Sequence, residues 1–134
     1  MNMAETAKQE FAAKIDGVDY IPHRTHAYFD EDSMNFTASQ DDPNTNEHRS
    51  FHIKFALDTP NGEHNQSSKY VRHMIYQDKL FPNNITANLY SGVFQVIFDR
   101  ETNKYTATFD TILRSTTQEF HIKGNFEMVE NETL

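Results

Sequence analysis

A chain of 134 residues, 37% apolar and free of cysteine, suits one domain with a real core that rests on packing, without disulfides or a thiolate zinc site. Its net charge of −8 is uneven: residues 1–48 hold three basic and ten acidic side chains, residues 49–134 nine and ten. No cluster of Lys and Arg exists to displace the counterions of a polyanion, no run of 18 apolar residues could form a membrane-spanning helix, and the polar start Met1–Glu10 lacks the apolar core of a secretory signal. The expectation is a soluble cytoplasmic protein that binds neither nucleic acid nor membrane. With 11 Phe and 6 Tyr supplying much of the apolar content, strands are favoured over helix bundles.

In chain order, Ala4, Ala7, Phe11 and Ile15 have helical spacing, while Phe11, Ala13 and Ile15 also alternate. The start is expected to be disordered or briefly helical, and residues 1–9 to be a frayed tail. Asp16-Gly17, flanked by Ile15 and Val18, predicts a tight hairpin. Thr25–Phe29 and Met34–Ala38 read as strands around the acidic turn Asp30-Glu31-Asp32-Ser33, and Gln40–Arg49 as a polar loop. Phe51, Ile53, Phe55 and Leu57 alternate against His52, Lys54 and Ala56, which predicts a half-buried strand. Asp58–Ser68 reads as a second polar loop, and Lys69–Tyr76 as a strand with apolar side chains on both faces. Gln77–Tyr90 is hard to read, with a short strand from Ile85 to Leu89.

Ser91–Val129 predicts three antiparallel strands. Val93–Phe98 suits a strand buried on both sides, with Ser91-Gly92 as the turn that opens it. Tyr105, Ala107, Phe109, Thr111 and Leu113 share one face of the next, across a loop in which Asn103 takes a left-handed conformation. Phe120, Ile122, Gly124, Phe126 and Met128 alternate with polar residues in the third. Gly124 leaves a gap on the apolar face, the mark of a bulge, a sharp bend or a close approach by another backbone, and is expected to be a point of curvature, with a gap for a ligand as the alternative. Residues 130–134 read as a frayed tail. The whole is expected to be one all-β domain: an antiparallel β-sandwich or small half-open β-barrel of eight to ten short strands, with at most a short N-terminal helix.

Motifs for chemistry are scarce. His23 and His26, three apart, would face opposite sides of a strand, and no His-x-His pair is present, so neither metal nor cofactor is expected. Asp30, Glu31 and Asp32 lack the alternating oxygen ligands and the glycine of a calcium loop. There is no nucleophile elbow, and the four glycines are spread singly. The one constellation is Tyr70, Arg72, His73 and Tyr76 on a strand that reads as buried, where a guanidinium must meet a partner such as Asp110 or a ligand. These five residues are the candidate ligand site.

The leading expectation is a non-enzymatic protein that binds a small apolar or aromatic molecule in a barrel cavity. The second is an acidic inhibitor or immunity-type protein that meets a basic partner through Asp19, Asp30, Glu31, Asp32, Asp41 and Asp42. A barrel enzyme using His73 or Asp110 as a base is the third.

Overall fold

A computed structural model describes residues 9–42, 47–79 and 84–130. They form ten strands: β1 (Glu10–Ile15), β2 (Val18–Tyr20), β3 (Arg24–Phe29), β4 (Ser33–Asp42), β5 (Glu47–Ala56), β6 (Gly62–Asn65), β7 (Val71–Asp78), β8 (Ile85–Asp99), β9 (Lys104–Arg114) and β10 (Glu119–Met128). No helix occurs among the described residues, and so none long and apolar enough to cross a membrane. The described part of the ambiguous start is strand β1, whose Phe11, Ala13 and Ile15 are buried and alternate with exposed neighbours.

All pairings are antiparallel and run in the order β2-β1-β10-β9-β8-β7-β5-β4-β3, with β6 paired to the far half of β8. This single sheet curls into a half-barrel rather than splitting into a sandwich. Its two ends approach each other through side chains. Tyr20 donates its hydroxyl to the Arg49 carbonyl at 2.9 Å, Thr25 donates to the Gln9 carbonyl at 3.1 Å, and the Phe11 and Phe51 rings lie 5.4 Å apart.

The concave side is filled with rings. Phe36 of β4 stacks on Phe126 of β10 at 4.4 Å and lies 5.7 Å from Phe98 of β8, so opposite walls touch across the interior. Each fully buried Phe stabilises the fold by about 2–3 kcal/mol, more than an exposed ion pair such as Lys14–Asp19 at 3.7 Å contributes. The aromatic interior, not surface charge, decides the curl.

Several turn expectations hold. Asp16 (φ 51°) and Gly17 (φ 83°) are both left-handed, as a two-residue hairpin requires, and Asn103 (φ 55°) is left-handed between β8 and β9. Others are corrected. Gln40–Arg49 is mostly strand, since β4 continues to Asp42 and β5 begins at Glu47. The polar stretch Asp58–Ser68 contains β6, which lacks an apolar stripe because backbone pairing to β8 holds it. Val93–Phe98 is buried on one side only, with Val93 37% and Ile97 64% exposed. Ser91-Gly92 opens nothing: β8 runs through it, and Tyr90 is the extra residue of a bulge. The ends nearest the tails are tied rather than frayed, Gln9 to the Val129 carbonyl and Glu130 to Asn103, while the rest of both tails lies outside the described residues.

Gly124 sits in unbroken register with both neighbours, so it is not a bulge. It marks a close approach: a Cβ there would run into the Ala12 carbonyl oxygen and stand 2.9 Å from both the Ala13 Cα and the Phe109 ring. Strand β1 leans over the inner face at this point, and the ring covers the glycine, a recognised device in curved sheets. Two of these neighbours are backbone and cannot rotate away. Gly124→Ala is therefore expected to destabilise the protein by about 3 kcal/mol, read as a lower urea midpoint at unchanged slope. An unchanged midpoint would show that β1 moves aside freely.

Candidate functional site

The expected ligand constellation does not assemble. Tyr76 points inward, 2% exposed, with its ring 4.9 Å from Phe51 and 5.3 Å from Phe120, and burial raises its hydroxyl pKa. Tyr70 precedes β7 in a turn, edge-on to His64 at 5.5 Å with the Lys69 ammonium 5.1 Å from its ring. Asp110 is exposed on β9 opposite Val93, where it meets His121 at 2.6 Å and Lys123 at 3.8 Å. It is no partner for Arg72.

The reading of β7 as buried on both faces is corrected by a bulge. His73 pairs with Lys54, but Phe55 pairs with Val71, so Arg72 is an extra residue. Val71 packs against the core and Met74 is fully buried, although they are three apart. The two residues between them are left outside: Arg72 exposed, His73 half-buried.

The acidic residues do not gather either. Asp30, Glu31 and Asp32 form the β3–β4 turn, while Asp41 and Asp42 end β4 at its other extremity. Ten residues of strand separate the two groups by about 30 Å. Asp19 lies on β2, paired with Lys14.

What the pairing does bring together is a row across the outer wall. Asn35 of β4 faces Lys54 of β5, and Lys54 faces His73 of β7, with His52 leaning diagonally into the row. Asp30 accepts the backbone N–H groups of Asp32 (2.9 Å) and Ser33 (2.8 Å) on Oδ1 and the Asn35 side-chain Nδ2 (3.2 Å) on Oδ2. The Asp32 N–H foremost holds its carboxyl below the usual range, so it is ionised at neutral pH and only accepts.

This orients everything downstream. Asn35, 1% exposed, must turn its amide nitrogen to Asp30 and its Oδ1 to His52 Nε2, 2.8 Å away. His52 Nε2 therefore carries the hydrogen. Burial, then His73 and Lys54, push the His52 pKa down to about 4, so the ring is neutral and its Nδ1 is a bare acceptor. His73 Nε2, 3.2 Å from that nitrogen, must donate to it. Burial and then Lys54 lower the His73 pKa too. The series ends at His73 Nδ1, an unshared lone pair with its tautomer fixed from Asp30.

His52 and Asn35 were missed from the sequence. His52 stood in plain view on the polar side of an alternating strand, but nothing in the spacing indicated that β5 pairs with β7 and lays it against His73. Among the described residues no group of three His, Asp or Glu side chains is placed to hold a metal.

The imidazole pair makes stability depend on pH with a definite sign. The folded His52 ring takes up a proton only near pH 4, whereas the unfolded ring does so near 6.5, so between these values the unfolded chain binds more protons. Stability is full above pH 6.5 and falls as the pH drops toward 4. Discounted for the half-open setting, the expected loss is about 2 kcal/mol. Urea denaturation of wild type and His52→Gln across this window checks it: the wild-type loss should exceed that of the variant, and parallel curves would contradict it.

No protein-family model, characterised protein or solved structure matches the chain, so the reading of this site rests on its own geometry.

Proposed function

We propose that the protein is a non-enzymatic binding protein that takes a small polar molecule on the outer wall of its half-barrel, at His73. The observation that carries this is the hydrogen-bond series from Asp30 through Asn35 and His52, which presents His73 Nδ1 as a fixed acceptor. A group already held in its binding form loses little freedom when a ligand arrives, which is how preorganisation raises affinity. The interior is a poorer place for a ligand, since Phe36, Phe98 and Phe126 meet across it.

Binding fits this arrangement better than base catalysis. A catalytic imidazole needs a pKa near the working pH, and both rings here are displaced below the ordinary value. The carboxylate that could stabilise an imidazolium is separated from His52 by the Asn35 amide, which orients the ring without accepting its proton.

The test is a titration of isotope-labelled protein with the small-molecule fraction of a cell extract, followed through backbone and histidine ring signals. The expected result is displacement of the His73, His52, Arg72 and Lys54 signals, lost in His73→Gln. Displacements centred on the interior aromatics would favour the cavity instead, and none at all would remove the binding reading.

A further inference from the structure

Resting on the reading of His73 as a binding site, we infer that its ligand carries a phosphoryl group, held in its singly protonated form. Two observations combine. The first is that the outer wall around His73 is cationic, on a chain whose net charge is −8. The β7 bulge leaves Arg72 exposed beside His73, and Lys54 stands directly across the register. Among the described residues neither cation makes an ion pair. An exposed guanidinium next in sequence to His73 and an ammonium across from it, within whose field Asp30 lies without an ion pair, suit an oxyanion.

The second observation is that the central group is an acceptor, not a donor. A fully ionised oxyanion such as sulfate would set its oxygen against the lone pair of His73 Nδ1, and the two would repel. A phosphate ester monoanion avoids this, because it keeps one P–O–H, as the dianion of inorganic phosphate also does. That hydroxyl donates to Nδ1 while the remaining oxygens accept from Arg72 and Lys54. The proton balance differs between the two sources: a monoester complex holds one proton more than neutral protein plus ester dianion, shared between the phosphate oxygen and Nδ1, whereas the dianion of inorganic phosphate still carries a P–O–H and needs none. No bond other than hydrogen bonds forms or breaks.

The charged and titratable groups that act on His73 are His52 and Lys54 from β5, with Asp30 at the far end of the series and Arg72 exposed next to His73 in its own strand. None of the near groups is a carboxylate. The second pKa of a phosphate ester is about 6, so affinity for an ester should rise as the pH falls from 8 to 6 and proton uptake should accompany its binding.

The experiment is calorimetry at pH 6.5 and 7.5 with inorganic phosphate, glycerol phosphate and sulfate, repeated in two buffers of different ionisation enthalpy and paired with histidine ring signals. Both phosphate compounds are expected to bind at least tenfold more tightly than sulfate, with about one proton taken up per glycerol phosphate dianion at pH 7.5. Tighter binding of glycerol phosphate than of phosphate identifies an ester as the physiological source, and the reverse identifies the free ion. Arg72→Gln, an exposed change that leaves the core untouched, should weaken both about tenfold. His52→Phe frees the His73 tautomer, so it should abolish the preference over sulfate while binding persists. Equal affinity for sulfate in the wild type would overturn the inference. So would His73 signals that move with cell extract but with neither phosphate compound, although binding at His73 would then stand. Signals that move with none of these overturn both.

Discussion

The contact on which the rest depends is the stacking of Phe36 on Phe126 across the interior. A ten-stranded antiparallel sheet with one apolar face has to bury that face, and with no helix among the described residues to cover it, the sheet must cover itself. Rings large enough to reach from β4 to β10 and β8 make that possible at 4.4–5.7 Å. The close passage of β1 over Gly124 follows from the same demand, because a curl this tight brings neighbouring backbone onto the inner face. The hydroxyl of Tyr20 and the ring of Phe11 then hold the two ends of the sheet together.

A filled interior sends polar chemistry to the convex side. There side chains from adjacent strands stand in rows, and a row can be polarised in one direction if its first member is fixed. Asp30 is that member: two backbone N–H groups of its own turn keep it ionised, and each group after it has one orientation left. The histidines are held neutral by shelter and by Lys54, so they act as oriented dipoles rather than as charges. The exposed Asp110–His121 pair offers a contrast, since it is open to water and shared with Lys123.

Much of the fold was legible because the alternation of Phe, Tyr and Ile at every second position is a direct imprint of a one-sided sheet. Tyr105–Leu113 and Phe120–Met128 are read almost residue for residue, and Asp16-Gly17 and Asn103 announce their turns. Three things were hidden. Strand β6 has no apolar stripe, so only its partner reveals it. Bulges at Arg72 and Tyr90 break the period of two and make a regular strand look buried on both sides or interrupted. Pairing between strands distant in sequence leaves no local trace, which is why His73 was singled out while His52, its neighbour in space, was not. Arg72 reads from the sequence as a buried charge needing a partner, and the bulge makes it an exposed one.

The Arg72 bulge also separates two properties that usually constrain each other. In a regular strand consecutive residues face opposite ways, so two neighbours can never share a wall. One additional residue lifts that rule: take Arg72 away, and Val71, His73, Met74, Ile75 and Tyr76 would still alternate without a fault. The core therefore has no need of it. Tyr90 repeats the device on β8, lying exposed with the Arg114 guanidinium 3.4 Å from its ring centre. Insertions of a single residue thus act as attachment points for surface groups on a frame indifferent to them, and such a frame can change what it displays without renegotiating how it folds.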